Sequence, residues 1–292
     1  MLGLLSVGAI AVAGVLVYNH WQERAARRAA QRAFGSGHAD VLLEPGPGAP
    51  APSRVPAIQG NAMPDTRVDY VINLSLPGRV SYASFLESWG ALEHRFARRV
   101  LLAGSDGDGW RRIVPGDGGS YVALQAALQM VSRDGVVAEA ELIEFRAQVE
   151  TLGAGIGATP AAPEMRQALE AARELDRACA DADIQVALHV VGIAPSLSPE
   201  GQQPYHVAPR EDGLTLTLDV GLTPDLERSY QAMVRAGAQL ASAHGGRLVD
   251  DNGNTLDEHA LATIGAQIDA IRLMLAERGI EPGSPLALRV FS

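Results

Sequence analysis

Two hydrophobic periodicities alternate along the chain from Asp69 onward. In residues 214–220, leucines at every second position alternate with Thr215, Thr217 and Asp219, the pattern of a strand with one buried face. In residues 81–96, apolar side chains recur every three or four positions, which predicts an amphipathic helix. The same criteria predict strands at 70–76, 98–103, 110–114, 121–131, 184–193, 247–250 and, at an edge, 286–291, and helices at 138–152, 163–180, 224–243 and after the capping residue Asp257.

These elements predict an α+β domain over residues 67–292. Its strands would form a mainly antiparallel sheet with helices on one face. Residues 121–157 and 214–246 each run strand, amphipathic helix, glycine-rich turn. An internal duplication is therefore open, in which the domain has two halves, 67–160 and 181–292.

An uncharged apolar stretch occupies residues 2–18, ahead of this domain. As a helix it would be about 25 Å long, the short end of what spans a bilayer core. A cleaved signal peptide would carry its positive charges before the apolar stretch, whereas here they follow it. We therefore expect a transmembrane helix over residues 1–18. The residues that flank the membrane would be two aromatic side chains and four arginines: Tyr18, Trp21, Arg24, Arg27, Arg28 and Arg32.

The arginines after the apolar stretch predict the orientation. By the positive-inside rule, the long C-terminal part lies in the cytoplasm and the N-terminus lies outside. Residues 19–34 favour a basic juxtamembrane helix against anionic lipid head groups. Residues 35–66 hold six of the 17 prolines and several glycines, so we expect a linker that buries no core.

Composition excludes several kinds of chemistry. All 24 basic residues are arginine, so a P-loop lysine, a Schiff-base lysine and a Ser-Lys dyad are absent. The net charge of −10 argues against nucleic acid as a partner. The single Cys179 excludes an internal disulfide and a multi-cysteine metal site. The seven histidines form no metal-binding spacing, and residues 250–254 lack the glycine of a calcium loop. We expect no catalytic residue, metal or cofactor, and hence a non-enzymatic protein.

The order of these parts resembles the ZipA family, bacterial cell-division membrane anchors that bind the tubulin-like protein FtsZ. The resemblance rests on the strand at 214–220, the helix at 224–243, the turn Gly-Gly-x-x-x-Asp-Asp at 245–251 and the closing helix. It implies a split β-α-β domain that binds the C-terminal peptide of FtsZ on the sheet face without helices. It also implies a place in the bacterial inner membrane, with the N-terminus in the periplasm, at the division septum at midcell.

The resemblance also indicates candidate partner-binding residues. If the leucines of the strand at 214–220 face the helices, the open face presents Thr215, Thr217 and Asp219. Adjoining strands would add five residues to this face: Val71, Asn73, Ala187, His189 and Val191. This groove is more polar than the family's apolar groove.

Two other functions stay open at this point. One is a membrane-tethered domain that senses a small ligand, which needs an enclosed pocket between two halves. The other is an anchor that binds a different division partner, which the polar groove favours.

Overall fold

The computed structural model describes residues 62–96, 99–197, 199 and 203–292. They belong to one compact unit, Val55–Ser292. The predicted transmembrane helix, the juxtamembrane helix and most of the linker lie outside the described residues. Within the described part, no helix is both long and apolar enough to cross a membrane.

The elements of the first half of the domain are β1 (Asp69–Ser81), a short 3-10 helix (Tyr82–Ser84), α1 (Leu86–Arg95), β2 (Val100–Ser105), β3 (Trp110–Arg112), β4 (Ser120–Gln129), β5 (Val131–Ser132), β6 (Gly135–Val136), α2 (Glu139–Gly155), β7 (Thr159–Ala161) and α3 (Met165–Ala182). Five of the strands form an antiparallel sheet in the order β3-β2-β4-β1-β7. Strands β5 and β6 form a separate two-stranded ribbon.

The elements of the second half are β8 (Gln185–Val191), β9 (His206–Arg210), β10 (Gly213–Asp219), α4 (Leu226–His244), β11 (Arg247–Val249), α5 (Glu258–Glu277) and α6 (Pro285–Val290). Its four strands form an antiparallel sheet in the order β11-β8-β10-β9. The prediction of an α+β domain with antiparallel pairing is confirmed. The prediction of a single sheet is wrong, because the strands fall into separate sheets.

The two halves share one topology. In space, the order β2-β4-β1-β7 of the first sheet is repeated by β9-β10-β8-β11 of the second. In sequence, α2 connects β4 to β7 as α4 connects β10 to β11, and a long helix follows each, α3 and α5. The first half adds α1, β3 and the β5-β6 ribbon. The internal duplication that the sequence left open thus has a counterpart in the strand order.

Each sheet buries one face against a helix. In the first half, Ile72, Leu102 and Leu124 belong to a core that also holds Trp89 and Phe145 from α1 and α2. In the second half, leucines of β10 pack in a core with residues of α4 and α5 such as Met233 and Ile268. We call the opposite side of each sheet its outer face.

The C-terminal segment folds differently from the prediction. Residues 286–291 were predicted as an edge strand, but Pro285–Val290 form helix α6. The side chain of Ser284 caps this helix by accepting a hydrogen bond from the Ala287 N–H at 3.2 Å, and Pro285 follows at the first helical position. The predicted cap of α5 is confirmed, since Asp257 Oδ1 accepts from the Ala260 N–H at 2.8 Å.

Candidate partner-binding face of the second sheet

Strand β10 separates its side chains as the alternation predicts. Leu214, Leu216 and Leu218 are at most 2% exposed and lie in the second core. Thr215 and Thr217 lie on the outer face, where both are partly exposed. This face is the part of β10 that a partner can reach.

Strand β8 adds its predicted residues to the same face. In the antiparallel register, Ala187 pairs with Thr217, His189 with Thr215, and Val191 with Gly213. Residues paired directly across two antiparallel strands point to the same side of the sheet. The three predicted residues of β8 therefore share a face with Thr215 and Thr217, while Leu188 and Val190 are buried beneath them.

Strand β9 completes the face with residues that the sequence analysis missed. Ala208 pairs with Thr215, and His206 pairs with Thr217. His206 is exposed and Ala208 is partly exposed. The sequence pattern that could have predicted this strand was weak, because β9 is only five residues long and contains Pro209. Sheets tolerate proline mainly in edge strands. The face is thus a shallow mixture of small apolar groups, hydroxyls and one exposed imidazole.

His189 links the sheet to the turn that follows β11. Its Nδ1 lies 2.9 Å from Thr215 Oγ1, and its Nε2 lies 2.8 Å from Asp251 Oδ1. The imidazole side chain is only 8% exposed. His189 therefore holds the turn at one end of the outer face rather than projecting toward a partner.

The Gly-Gly-x-x-x-Asp-Asp segment builds this turn. Gly245 ends α4 with a φ of 71°, in the left-handed region where glycine is favoured. A side chain at Gly246 would place its Cβ 2.6 Å from the Val191 carbonyl oxygen, so the close approach of the chain to β8 requires glycine. Asp250 accepts hydrogen bonds from the Asn252 and Asn254 N–H groups at 2.9 and 2.8 Å. Burial opposes ionisation, but these bonds outweigh it and lower the pKa of Asp250.

Asp219 is engaged in the contact between the two halves. Its Oδ2 accepts from Arg133 at 3.1 Å, and Arg133 also binds Asp183. Asp219 Oδ1 accepts from the Leu222 N–H at 3.2 Å. The hydrogen bonds to these carboxylates raise the pKa of Arg133. The carboxylate of Asp219, at the end of the face, is thus already bound by groups of the same chain.

Val71 and Asn73 do not adjoin these residues, so their grouping with the second sheet is wrong. Both lie on β1, in the first sheet, where Val71 pairs with Ala127 and Asn73 with Gln125. The Asn73 side chain accepts from Gln125 Nε2 at 3.0 Å. Alternation predicted correctly that both lie on an outer face, but it could not identify the sheet.

The hydroxyl, imidazole and carboxylate of Thr215, His189 and Asp251 follow the order of a nucleophilic triad. In such triads the carboxylate is buried and binds Nδ1, while Nε2 faces the nucleophile. Here Nδ1 faces the hydroxyl, and the Asp251 side chain is 79% exposed. The arrangement matches a structural link between strand and turn. Across the described residues, no group of three or more His, Cys, Asp or Glu side chains is placed to hold a metal ion.

Residues 209–267 match the family model described as ZipA, C-terminal FtsZ-binding domain. The match runs from the end of β9 through β10, α4, β11 and the turn into α5. The predicted resemblance to ZipA is thereby confirmed for the segment that supplies β10, one of the three strands that form the outer face of the second sheet. Comparison of the chain with curated proteins and with solved structures gave no match.

Proposed function

We propose that this protein is a non-enzymatic membrane adaptor of the bacterial division septum, and that its second half binds the C-terminal tail of FtsZ. The observation that carries the proposal is the match of residues 209–267 to the FtsZ-binding domain of ZipA. That segment supplies β10, the strand at the centre of the candidate face, and α4, which covers its opposite side.

The chemistry of the face supports a weak, exchangeable contact. The groups available to a peptide are the partly exposed Ala187, Val191, Ala208, Thr215 and Thr217. Small side chains of this kind give a flat surface with little area to bury, so one domain would hold one tail loosely. We expect His206, which is exposed at the edge of the face, to contribute a polar contact.

Tethering compensates for weak binding. The apolar stretch at residues 2–18 and the arginines after it would fix the chain at the cytoplasmic surface of the inner membrane. Many copies confined to one surface would then engage many tails of one FtsZ polymer, so that avidity replaces single-site affinity. The Pro-rich linker at residues 35–66 would set the distance over which the domain can reach.

A fluorescent fusion of the full chain in dividing cells tests this proposal. The expected result is a band at midcell that disappears when FtsZ is depleted, and a diffuse cytoplasmic signal when residues 1–18 are deleted. A uniform membrane signal that persists unchanged without FtsZ would favour the alternative of an anchor for another partner.

The small-ligand alternative needs an enclosed pocket between the halves. One groove of about 580 Å³ lies between α4 and α5, lined by residues such as Tyr230, Leu261 and Ile268. Because both helices belong to the second half and the groove is open to solvent, it does not favour ligand sensing.

A further inference from the structure

An imidazole and a hydroxyl share the centre of the outer face of the second sheet. His189 on β8 and Thr215 on β10 are paired across the strands, and His189 Nδ1 lies 2.9 Å from Thr215 Oγ1. The other ring nitrogen, Nε2, lies 2.8 Å from Asp251 Oδ1. The three side chains thus form one continuous series of hydrogen bonds, which runs from the turn after β11 to the outer face.

The carboxylate of Asp251 fixes the direction of these hydrogen bonds. A carboxylate accepts hydrogen bonds and does not donate them, so the proton between Asp251 and His189 belongs to Nε2. In a neutral imidazole, the second nitrogen is then an acceptor. The Thr215 hydroxyl therefore donates its single proton to Nδ1, and only the lone pairs of Oγ1 remain for another partner.

Thr215 consequently offers a bound partner an acceptor and no donor. The residue is partly exposed on the outer face, and within the described part of the chain its hydroxyl makes no second hydrogen bond. A peptide N–H placed against Oγ1 gains a hydrogen bond, whereas a carbonyl oxygen or a carboxylate there meets only lone pairs. This one position therefore discriminates between partner groups by their hydrogen-bonding polarity.

A second proton on His189 reverses this polarity. Both nitrogens of an imidazolium ring are donors, so Thr215 Oγ1 then accepts from Nδ1 and its own proton is released toward the outer face. Thr215 becomes a donor to the partner, although no atom of the backbone has moved. His189 is thus a positioning residue, which acts on a partner only through the hydroxyl of Thr215.

Charged groups on three neighbouring elements face this imidazole. Asp251 contacts it from the turn after β11, and Asp212 lies between β9 and β10. The hydrogen bond from Arg210 and, to a smaller extent, the charge of His189 lower the pKa of Asp212. The cation of β11 is Arg247, which is exposed and is paired with Val191 rather than with His189. Two carboxylates are therefore placed to favour a positive charge on the ring.

We propose that His189 sets the hydrogen-bonding polarity of Thr215, so that the second-sheet face selects a partner group that donates to Thr215 and loses this contact when His189 is protonated. The inference rests on the proposed binding of the FtsZ tail, because it states which kind of group the tail presents at this point. The face then has one position that reads the partner's polarity and one proton that reverses the preference.

The position of the proton on His189 is the first test. The full chain is labelled with ¹⁵N at histidine and studied by NMR in mild detergent, and His189→Gln identifies the His189 signals by their disappearance. At about pH 8 we expect a neutral ring with its proton on Nε2. A proton on Nδ1, or a charged ring at this pH, would overturn the proposal.

The pH profile of FtsZ binding is the second test. The affinity of the full chain for intact FtsZ is measured at about pH 8 and about pH 6, within the range in which imidazoles change charge. We expect acidification to weaken binding by the wild-type chain about two- to tenfold more than binding by Thr215→Val, which has no hydroxyl. Any titration of FtsZ itself is common to both chains, so the difference reports on Thr215.

Two further variants separate His189 from other causes. Thr215→Ser keeps the hydroxyl and should restore the wild-type pH profile. His206→Gln removes the other imidazole of this face and should leave the difference from Thr215→Val in place. If His206→Gln abolishes that difference, His206 is the group that titrates and the proposal is wrong.

Failure of this inference is distinguishable from failure of the proposed function. If the wild-type chain binds FtsZ but shares its pH profile with Thr215→Val, the role of His189 is overturned and FtsZ binding stands. If the wild-type chain binds no FtsZ at either pH, the proposed function is overturned together with the partner selection at Thr215.

Discussion

Arg289, in the last helix, binds Asp69, the first residue of the first strand. The two side chains are 5% and 0% exposed, and 220 positions separate them in sequence. Gln129 completes the cluster, since its Nε2 donates to the Arg289 carbonyl oxygen at 2.8 Å and its Oε1 accepts from Arg289 Nε at 3.3 Å. The C-terminal helix thus closes the first half of the domain, although it follows the second half in sequence.

The Arg289–Asp69 pair predicts a large loss of stability when one partner is removed. Arg289→Ala leaves the Asp69 carboxylate buried without its counter-charge, and we expect a cost of about 3–5 kcal/mol in the free energy of unfolding. Urea denaturation of residues 55–292 measures it. The control is Arg272→Ala, which breaks an exposed pair with Asp269 and should cost less than about 1 kcal/mol. Equal losses in the two variants would show that the buried pair stabilises the fold no more than the exposed pair does.

We expect position 213 to tolerate glycine but not alanine. Its φ is 155°, and a Cβ there would lie 1.9 Å from the Val190 carbonyl oxygen. Because that oxygen belongs to the backbone of the neighbouring strand, we expect Gly213→Ala to destabilise the domain by about 3 kcal/mol or more.

The matched control for Gly213 is Gly90→Ala in helix α1. No atom lies within 4 Å of a Cβ at Gly90. Alanine also lowers the conformational entropy of the unfolded chain, so Gly90→Ala should stabilise the protein by about 0.4–1 kcal/mol. The same denaturation series measures both variants, and a neutral Gly213→Ala would contradict the close approach of β10 to β8.

Cys179 should be unreactive in the folded protein. Burial raises the pKa of its thiol to about 12, whereas the pKa of a cysteine in the unfolded chain is about 8.5. At pH 8 we expect a disulfide reagent to modify the native chain at least about a hundredfold more slowly than the urea-unfolded chain. Rapid modification of the native chain would show that α3 is not packed as described.

The raised pKa of Cys179 also predicts how the free energy of unfolding changes with pH. Because the folded pKa is above the unfolded one, the unfolded chain loses the proton first as pH rises. The contribution of Cys179 is complete below about pH 8.5 and declines as pH rises toward about 12. Cys179→Ala should therefore flatten the fall in stability between about pH 9 and pH 11, measured by denaturation at each pH.

Thr217 tests the location of the partner-binding face. An arginine there would project a long charged side chain over the small groups at the centre of the face, so we expect Thr217→Arg to weaken FtsZ binding at least about tenfold. Thr263→Arg is the matched control, since Thr263 is exposed on α5, outside the face. Loss of binding in both variants, or in neither, would argue against this face.

The sequence predicted the second half well because its signals are local. Strict alternation in β10, the stripe of α4, the paired glycines at its end and the cap at Asp257 each depend on residues a few positions apart. The prediction of a strand at 286–291 was wrong because a short apolar run is compatible with either a strand or a helix. The sequence signal that favours the helix is the Ser284-Pro285 pair at its start.

Strand pairing was the part that local signals could not provide. Asn73 on β1 alternates with the buried Ile72 and Leu74 as Thr215 on β10 alternates with Leu214 and Leu216. Periodicity therefore places Asn73, and with it Val71 two positions earlier, on an outer face, as it does Thr215. Whether the two strands adjoin depends on contacts between distant residues, such as Val71 with Ala127 and Thr215 with His189. The sequence pattern therefore does not distinguish two separate sheets from one continuous sheet. The strands β7 and β9 were missed because each is short and contains a proline.

Tail dependence is the most direct test of the proposed adaptor. Residues 55–292 are immobilised, and binding is measured with intact FtsZ and with FtsZ that lacks its C-terminal tail. We predict saturable binding of the intact protein and its loss when the tail is removed. Equal binding of both forms, or binding of neither, would contradict the account.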